Sequence, residues 1–134
     1  MIEKVVHPYN LQKALEHVIA NKGSAGVDGV SIKELRKVFS EKKDLLLREV
    51  QQGKYQVQPI LGIEIPKGNG KTRLLGVPTT SERVLQQAVS QSIAPLFEPE
   101  FSSNSFGFRP NKNARQAVGQ ARDYIHSGLN HIVD

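Results

Sequence analysis

The sequence predicts a single α+β domain of 134 residues. Apolar residues recur at helical spacing in the first and last parts of the chain, whereas the middle alternates as β-strands do. A glycine turn at 68–70 divides the alternating stretch into two strands. Because helices and strands form separate blocks, the α+β class is favoured. The expected parts are an N-terminal extension (1–54), a hairpin (55–80) and C-terminal helices (81–134).

The first predicted helix covers residues 10–21, with Asn10 as its N-cap. Its apolar residues form one stripe at helical spacing: Leu11, Ala14, Leu15, Val18 and Ile19. This stripe predicts a helix that buries one face. Residues 22–29 end the helix and contain three glycines that can adopt positive φ: Gly23, Gly26 and Gly29.

Two shorter helices are predicted next. Ser31 and Glu34 match a capping box at the start of a short helix that carries Leu35 and Val38. A separate helix over about 42–52 presents one apolar side and ends at Gly53. That side consists of Leu45, Leu46 and Val50.

The middle of the chain predicts an antiparallel hairpin. Residues 55–66 alternate as a strand, with Ile63 and Ile65 on one face and Glu64 on the other. After the glycine turn, residues 72–77 can return antiparallel to that strand. Three basic residues lie in or beside the turn: Lys67, Lys71 and Arg73.

These three basic residues have two interpretations. They can form a solvated turn, or they can clamp a polyphosphate, whose several negative charges need cations. In the second interpretation Arg73 engages two oxygens in a fork and Lys67 acts as a point charge. The segment is not a P-loop, because Ile65 stands where that motif requires its first glycine. The residues alone leave both interpretations open.

A long helix is predicted over residues 81–97, with Ser81 as its N-cap and one inward-facing side. That side consists of Val84, Leu85, Ala88, Val89, Ser92, Ile93 and Leu96. A last helix begins after Asn113 and ends at Gly128. Residues 131–134 are typical of the first part of a buried strand.

The loop between these helices contains two phenylalanines. We expect Phe106 and Phe108 to anchor it in the core, and the intervening Gly107 to bend the backbone or approach a neighbour closely. Glu98 and Glu100 follow a helix end, so we expect both carboxylates to be solvated.

A second group of basic residues lies in and beside the last helix: Arg109, Lys112, Arg115 and Arg122. Arg115 and Arg122 are seven positions apart and therefore roughly share a helix face. The group is either a solvated face or a ridge that follows nucleic-acid phosphates. Both alternatives remain open at this point.

The composition restricts the partners. The net charge of +5 favours polyanions, although nucleic acid, an anionic membrane and a merely soluble surface are all compatible with it. The absence of cysteine excludes disulfides and thiolate metal sites, and the histidines show no metal-ligand spacing. No apolar run approaches the roughly 20 residues that cross a bilayer. We therefore expect a soluble, cytoplasmic chain without a membrane partner.

Three blocks of the sequence resemble, in order and spacing, conserved blocks of reverse transcriptases encoded by group II introns. The block Asn21–Gly29 is similar to their N-terminal extension. Ile63–Lys67 and Thr72–Thr79 resemble the first finger block, and Pro95–Pro110 resembles the second. The resemblance covers essentially the whole chain. It implies a reverse-transcriptase fingers subdomain, with helices around a β-hairpin and the start of a palm strand at the C-terminus.

The resemblance also implies a site. Lys67 and Arg73 match the lysine and arginine that contact the triphosphate of the incoming dNTP. Arg109 matches the arginine of the Phe-Gly-Phe-Arg-Pro signature, which supports either the loop or the template. Leu61 and Gly62 stand where many relatives carry basic residues, so template contact there is expected to be weaker. The residues assigned to template or RNA are Lys22, Gly23, Ser24, Gly26, Lys71, Arg109, Lys112 and Arg115.

For the whole protein, the resemblance implies an RNA-directed DNA polymerase that uses Mg²⁺ and dNTPs. Its expected partners are template RNA, an RNA/DNA hybrid and group II intron RNA. The resemblance puts the metal-binding aspartate just after Asp134, so we expect no catalytic residue and no bound metal within this chain, and no polymerase activity from it alone. We also expect a homodimer through exposed palm-facing surfaces.

Two alternatives remain at this stage. One is a non-enzymatic RNA-binding module whose basic ridge is its whole function. The other is a different class of reverse transcriptase, namely a retron, CRISPR-associated or diversity-generating enzyme.

Overall fold

The computed structural model describes residues 1–68 and 70–131. Its helices are α1 (Ile2–Val5), α2 (Pro8–Asn21), α3 (Ile32–Gln51), α4 (Thr80–Phe97) and α5 (Ala114–His126), and Glu98–Glu100 form a 3-10 turn. Its strands are β1 (Leu61–Lys67) and β2 (Lys71–Val77), which form one antiparallel sheet. The predicted α+β class is confirmed. The chain divides into two compact units, Met1–Ile93 and Ala94–Asp134, and each is described by itself.

The core of the first unit is built on the predicted stripe of α2. Leu11, Ala14, Leu15 and Val18 are buried, and Ile19 packs against them. The remaining buried core residues come from α1, α3 and α4: Val5, Leu35, Phe39, Val84, Leu85 and Ala88. Burying one apolar face of each helix is therefore what brings these elements together.

The predicted start of α2 was wrong by two residues. The helix begins at Pro8, and the side chain of His7 accepts a hydrogen bond from the backbone of Tyr9. Proline suits the first turn because the amide it lacks would have no helical partner there. Asn10 is thus inside the helix, where its Nδ2 donates to the carbonyl oxygens of Val5 (2.9 Å) and Ala88 (3.0 Å).

The two helices predicted between residues 31 and 52 are one continuous helix, α3. The capping box of Ser31 and Glu34 is present, and Gly53 follows the helix end with φ of 67°. No glycine or proline interrupts residues 32–51, so the backbone has no local reason to break. Phe39, at the point of the expected break, is buried in the core, whereas Leu45 is exposed.

The hairpin has the predicted order but a shorter first strand. β1 starts at Leu61, not at residue 55, and its pairing with β2 runs from Leu61 opposite Val77 to Lys67 opposite Lys71. Residues 54–60 are not in a strand. The backbone N–H of Gln58 instead donates to the carboxylate of Glu82, so a side chain takes the bond that a neighbouring strand would have accepted.

Helix α4 begins one residue earlier than predicted, and its cap is Thr79 instead of Ser81. The hydroxyl of Thr79 accepts a hydrogen bond from the Glu82 backbone N–H at 3.3 Å. Of the residues expected to face inward, Val89 is 41% exposed and Leu96 is 52% exposed. The buried stripe of α4 is therefore narrower than the sequence pattern indicated.

In the second unit, α5 starts and ends as predicted. Asn113 and Gln116 form a capping box, and Gly128 follows the helix with φ of 96°. The expectation for Phe108 was wrong, because its ring is fully exposed and its own φ is 56°. Gly107 makes no close approach, because a Cβ there would have open space, and the positive φ is at Phe108. The strand predicted at 131–134 lies mostly outside the described residues.

Candidate nucleotide and nucleic-acid interface

The hairpin brings its three basic residues onto one face. Residues directly opposite in an antiparallel pair project to the same side, and residues two apart along a strand share a face. Lys67 is opposite Lys71, and Ile65 is opposite Arg73. The long side chains of Lys67, Lys71 and Arg73 can therefore converge on one ligand at the end of the ladder beside the turn.

This basic face has no acidic residue. It carries Leu61, Ile63, Ile65, Lys67, Lys71, Arg73, Leu75 and Val77. Glu64, the only carboxylate on either strand, is on the opposite face. The three cations are exposed, and none of them forms an ion pair within residues 1–68 and 70–131. An anionic ligand would not compete with a protein carboxylate for these charges.

The direct pairing of Lys67 with Lys71 opposes hairpin formation. Like charges at opposed positions of an antiparallel ladder are destabilising, whereas favourable pairs contribute about 0.2–1 kcal/mol. A bound polyanion would attract both lysines and so offset the repulsion between them. The arrangement therefore fits anion binding better than it fits a purely structural turn.

The glycine-rich segment packs against the base of the hairpin. Lys22 and Gly23 have φ of 58° and 118°, so the chain turns sharply where α2 ends. A Cβ on Gly26 would lie 2.7 Å from the backbone N and Cα of Thr79. Gly26 thus allows the glycine-rich segment to approach the Thr79 backbone closely, whereas Gly23 and Gly29 adopt the predicted positive φ. The carbonyl oxygen of Ser24 accepts a hydrogen bond from Arg83.

Lys22 also borders a polar groove of about 330 Å³ between α2 and α4. The groove is lined mainly by side chains that can donate hydrogen bonds: His17, Asn21, Lys22, Arg83, Gln86, Gln87 and Ser90. The structure therefore brings the glycine-rich residues, the base of the hairpin and this groove together in the first unit.

Arg109 belongs to the second unit, and its guanidinium is engaged by its own loop. Its Nε and Nη2 donate to Glu98 Oε1 at 3.0 and 2.8 Å, and its Nη1 donates to the carbonyl oxygens of Ser102 (2.7 Å) and Ser105 (2.9 Å). The ring of Phe101 lies 5.1 Å from the guanidinium carbon. With a side chain only 10% exposed, Arg109 organises this loop.

Glu98 is the acidic partner that the sequence interpretation missed. It was expected to be solvated, but its carboxylate binds Arg109 across eleven positions of the chain. The other basic residues of this unit are more accessible. Lys112 lies 5.2 Å from the ring of Phe106, and Arg115 is exposed in the first turn of α5. Arg122 is exposed with Asp123 at 3.9 Å.

Glu82 of α4 was not recognised as important from the sequence. Glu82 is 5% exposed, and its carboxylate accepts from Tyr55 Oη at 3.3 Å and from Thr79 Oγ1 at 3.2 Å. Burial, followed by the nearby Glu82 charge, raises the pKa of Tyr55 to about 12. The sequence signal that could have revealed Glu82 is Thr79-x-x-Glu82, which matches a capping box. This pattern favours Thr79 over Ser81 as the N-cap of α4.

The described residues contain no metal site and no membrane span. No three carboxylate or imidazole groups within 1–68 and 70–131 are close enough together to hold a metal ion. The resemblance likewise assigns the Mg²⁺ ligand to none of these residues. No helix in the same ranges is long and apolar enough to cross a bilayer.

Comparison with known proteins supports the family resemblance. Protein YkfC of Escherichia coli K12 is 32% identical over 88% of this chain, and the group II intron-encoded protein LtrA of Lactococcus lactis is 32% identical over 90%. A protein assigned to intron 2 of COX1/OXI3 in Saccharomyces cerevisiae is 29% identical over 78%. No family model matches the chain.

The predicted resemblance is thereby confirmed: over most of its length the chain is similar to group II intron-encoded proteins. The chain spans 32% of the length of the E. coli protein, 21% of LtrA and 12% of the yeast protein.

Proposed function

We propose that this chain forms the fingers of an RNA-directed DNA polymerase encoded by a group II intron, with Lys67 and Arg73 binding the triphosphate of the incoming dNTP. The observation that carries the proposal is the basic face of the hairpin, where three exposed cations meet without an acidic residue. The similarity to intron-encoded proteins supports the proposed reaction class.

The chemistry proposed for the hairpin is electrostatic positioning. The guanidinium of Arg73 can donate two parallel hydrogen bonds to phosphate oxygens, and the ammonium of Lys67 adds a point charge. Holding the triphosphate in one orientation lowers the entropic part of the barrier to nucleotidyl transfer. In the whole enzyme, Mg²⁺ would stabilise the attacking and leaving oxygens, and we assign none of the described residues to it.

We further propose that RNA binds along the glycine-rich segment and the neighbouring basic residues. Lys22, Gly23, Ser24 and Gly26 border the polar groove or the base of the hairpin, which supports a template contact. Lys71 lies beside the dNTP cations. In the second unit, the exposed Arg115 and the partly buried Lys112 are the proposed phosphate contacts. Arg109 contributes indirectly, because its hydrogen bonds are used within the loop.

The nucleotide assignment is tested in a polymerase-active protein that contains this chain. Lys67→Ala or Arg73→Ala should raise the KM for dNTP by about tenfold to 150-fold, since a charge-assisted hydrogen bond contributes about 1.5–3 kcal/mol. Affinity for the primer-template should change much less. Lys37→Ala, at an exposed position of α3, is the matched control. Equal loss of template affinity with unchanged KM would assign both residues to the template instead.

The RNA assignment is tested on the chain itself by fluorescence anisotropy with labelled RNA and RNA/DNA hybrid. The affinity should fall with salt, by about one unit of log–log slope for each phosphate neutralised. Replacing Lys71 and Arg115 by glutamine should reduce that slope. Absence of binding at low salt would contradict the proposal and leave the basic residues as a solvated surface.

The names of the relatives favour the group II intron class over a retron, CRISPR-associated or diversity-generating enzyme. A non-enzymatic RNA-binding module would bind RNA with no dNTP-dependent effect of Lys67→Ala. Inactivity of this chain alone, its homodimer and its cytoplasmic location stay predictions. They are tested by primer extension with Mg²⁺, by light scattering across a concentration series and by localisation of a tagged protein.

A further inference from the structure

The first turn of α4 is attached to the chain on both sides of the hairpin. On the entry side, the carboxylate of Glu82 accepts hydrogen bonds from the backbone N–H of Gln58 and from the hydroxyl of Tyr55 at 3.3 Å. Gln58 precedes the start of β1 by three residues. Glu82 is 5% exposed, so these contacts are shielded from competing water.

On the exit side, the next residue of α4 makes the corresponding contact. Arg83 donates to the carbonyl oxygen of Pro78, the residue that follows β2, from Nε at 3.1 Å and from Nη2 at 3.0 Å. The same Nη2 donates to the carbonyl oxygen of Ser24 in the glycine-rich segment. Two consecutive side chains therefore hold the entry to the hairpin, its exit and the glycine-rich segment.

An exposed two-stranded hairpin needs attachment at its base to keep one direction. A two-stranded ribbon is at best marginally stable by itself, and most residues of β1 and β2 are exposed. Each strand has seven residues, so Lys67 and Lys71 at the tip are about 20 Å from the base and Arg73 is about 13 Å from it. At that length a tilt of about 5° at the base moves the tip by nearly 2 Å. A displacement of about 1 Å can cost about a hundredfold in rate at a reacting centre.

We propose that Glu82 and Arg83 are positioning residues, which act through the base of the hairpin to set where Lys67 and Arg73 hold the triphosphate. The inference deepens the proposed function and, for its effect on dNTP, rests on it. The geometric part stands by itself: the direction of the hairpin relative to the helices of the first unit is set by these two side chains.

The geometric part is tested on the chain by electron spin resonance distance measurements. The chain has no native cysteine, so labels at Thr72→Cys and Lys37→Cys report the distance between the hairpin and α3 without interference. In Arg83→Lys the single ammonium cannot donate to the carbonyl oxygens of Pro78 and Ser24 in the geometry of the guanidinium. Glu82→Gln removes the negative charge that accepts hydrogen bonds from Gln58 and Tyr55. Both variants should broaden the distance distribution, with hydrogen exchange of α2 unchanged.

Matched controls make the same chemical changes elsewhere. Arg48→Lys alters an exposed arginine that donates within α3, to the Asp44 carbonyl oxygen, and Glu41→Gln alters an exposed carboxylate of the same helix. Neither control should change the distance distribution. An unchanged distribution in both Arg83→Lys and Glu82→Gln would overturn the proposal.

The functional part is tested by the KM for dNTP in a polymerase-active protein that contains this chain. Glu82→Gln and Arg83→Lys should each raise this KM by about tenfold. Glu82 does not line the polar groove proposed for RNA, so Glu82→Gln should leave primer-template affinity within about twofold. If Lys67→Ala raises the KM and neither Glu82→Gln nor Arg83→Lys does, the positioning role is wrong and the nucleotide site stands. If Lys67→Ala has no effect, the nucleotide site is wrong, and the label distances alone decide whether Glu82 and Arg83 direct the hairpin.

Discussion

Lys67 and Lys71 oppose each other in the last pair of the β1–β2 ladder, directly beside the turn. Their repulsion predicts that Lys71→Gln will stabilise the hairpin by a few tenths of a kcal/mol, up to about 1 kcal/mol. Hydrogen exchange of the β1 and β2 amides should slow in the variant at low salt. The difference should shrink at high salt, where exposed charges are screened. Faster exchange in Lys71→Gln would mean that the pair does not repel.

Gly26→Ala should strongly destabilise the first unit. A Cβ there would lie 2.7 Å from backbone atoms of Thr79 and 2.9 Å from the carbonyl carbon of Pro78, and backbone cannot move aside as a side chain can. Overpacking of this kind should lower the free energy of unfolding by about 1–3 kcal/mol, which urea unfolding would measure. Gly119→Ala is the control, because it has open space in α5 and should stabilise by about 0.5–1 kcal/mol. Equal stability of Gly26→Ala and the wild type would disprove the close packing.

Arg109→Lys should destabilise the loop between α4 and α5. A lysine cannot bridge Glu98 and the carbonyl oxygens of Ser102 and Ser105 at once, and losing hydrogen bonds to a charged group costs about 1.5–3 kcal/mol. Hydrogen exchange of residues 98–109 should accelerate.

The control for this change is Arg122→Lys, at an exposed position of α5. Its exchange rates should match those of the wild type. If Arg109→Lys behaves in the same way as Arg122→Lys, the guanidinium network does not hold the loop.

Tyr55 should make the fold sensitive to alkali. Burial and the Glu82 carboxylate raise the pKa of Tyr55 to about 12, above the ordinary value of 10.0. Because the folded state holds the phenolic proton more tightly, this contribution is fully present below pH 10 and is lost as the pH rises towards 12. Tyr55→Phe should therefore lose less stability than the wild type between pH 10 and 12, measured by urea unfolding. Parallel losses in the two proteins would show that Tyr55 is not linked to folding.

The sequence by itself determined the elements whose causes are local. The buried stripe of α2, the capping box at Ser31, the N-cap Asn113 and the glycine turn depend on residues within a few positions, and each was predicted. The concentration of basic residues beside the turn was visible for the same reason. The motif order also carried the family resemblance, which does not require contacts to be known.

Only the tertiary structure decided which distant groups meet. Glu98 was interpreted as solvated because it follows a helix end, and nothing local indicated its partner, Arg109, eleven positions away. Glu82 was missed because its donor, the Gln58 amide, belongs to a segment that pattern alone assigned to a strand. Burying a charge is costly unless hydrogen bonds compensate it, so such groups settle where the fold supplies donors. Periodicity along the chain predicts which face of an element is buried. It does not predict which distant residues will contact that face or pair with a buried charge.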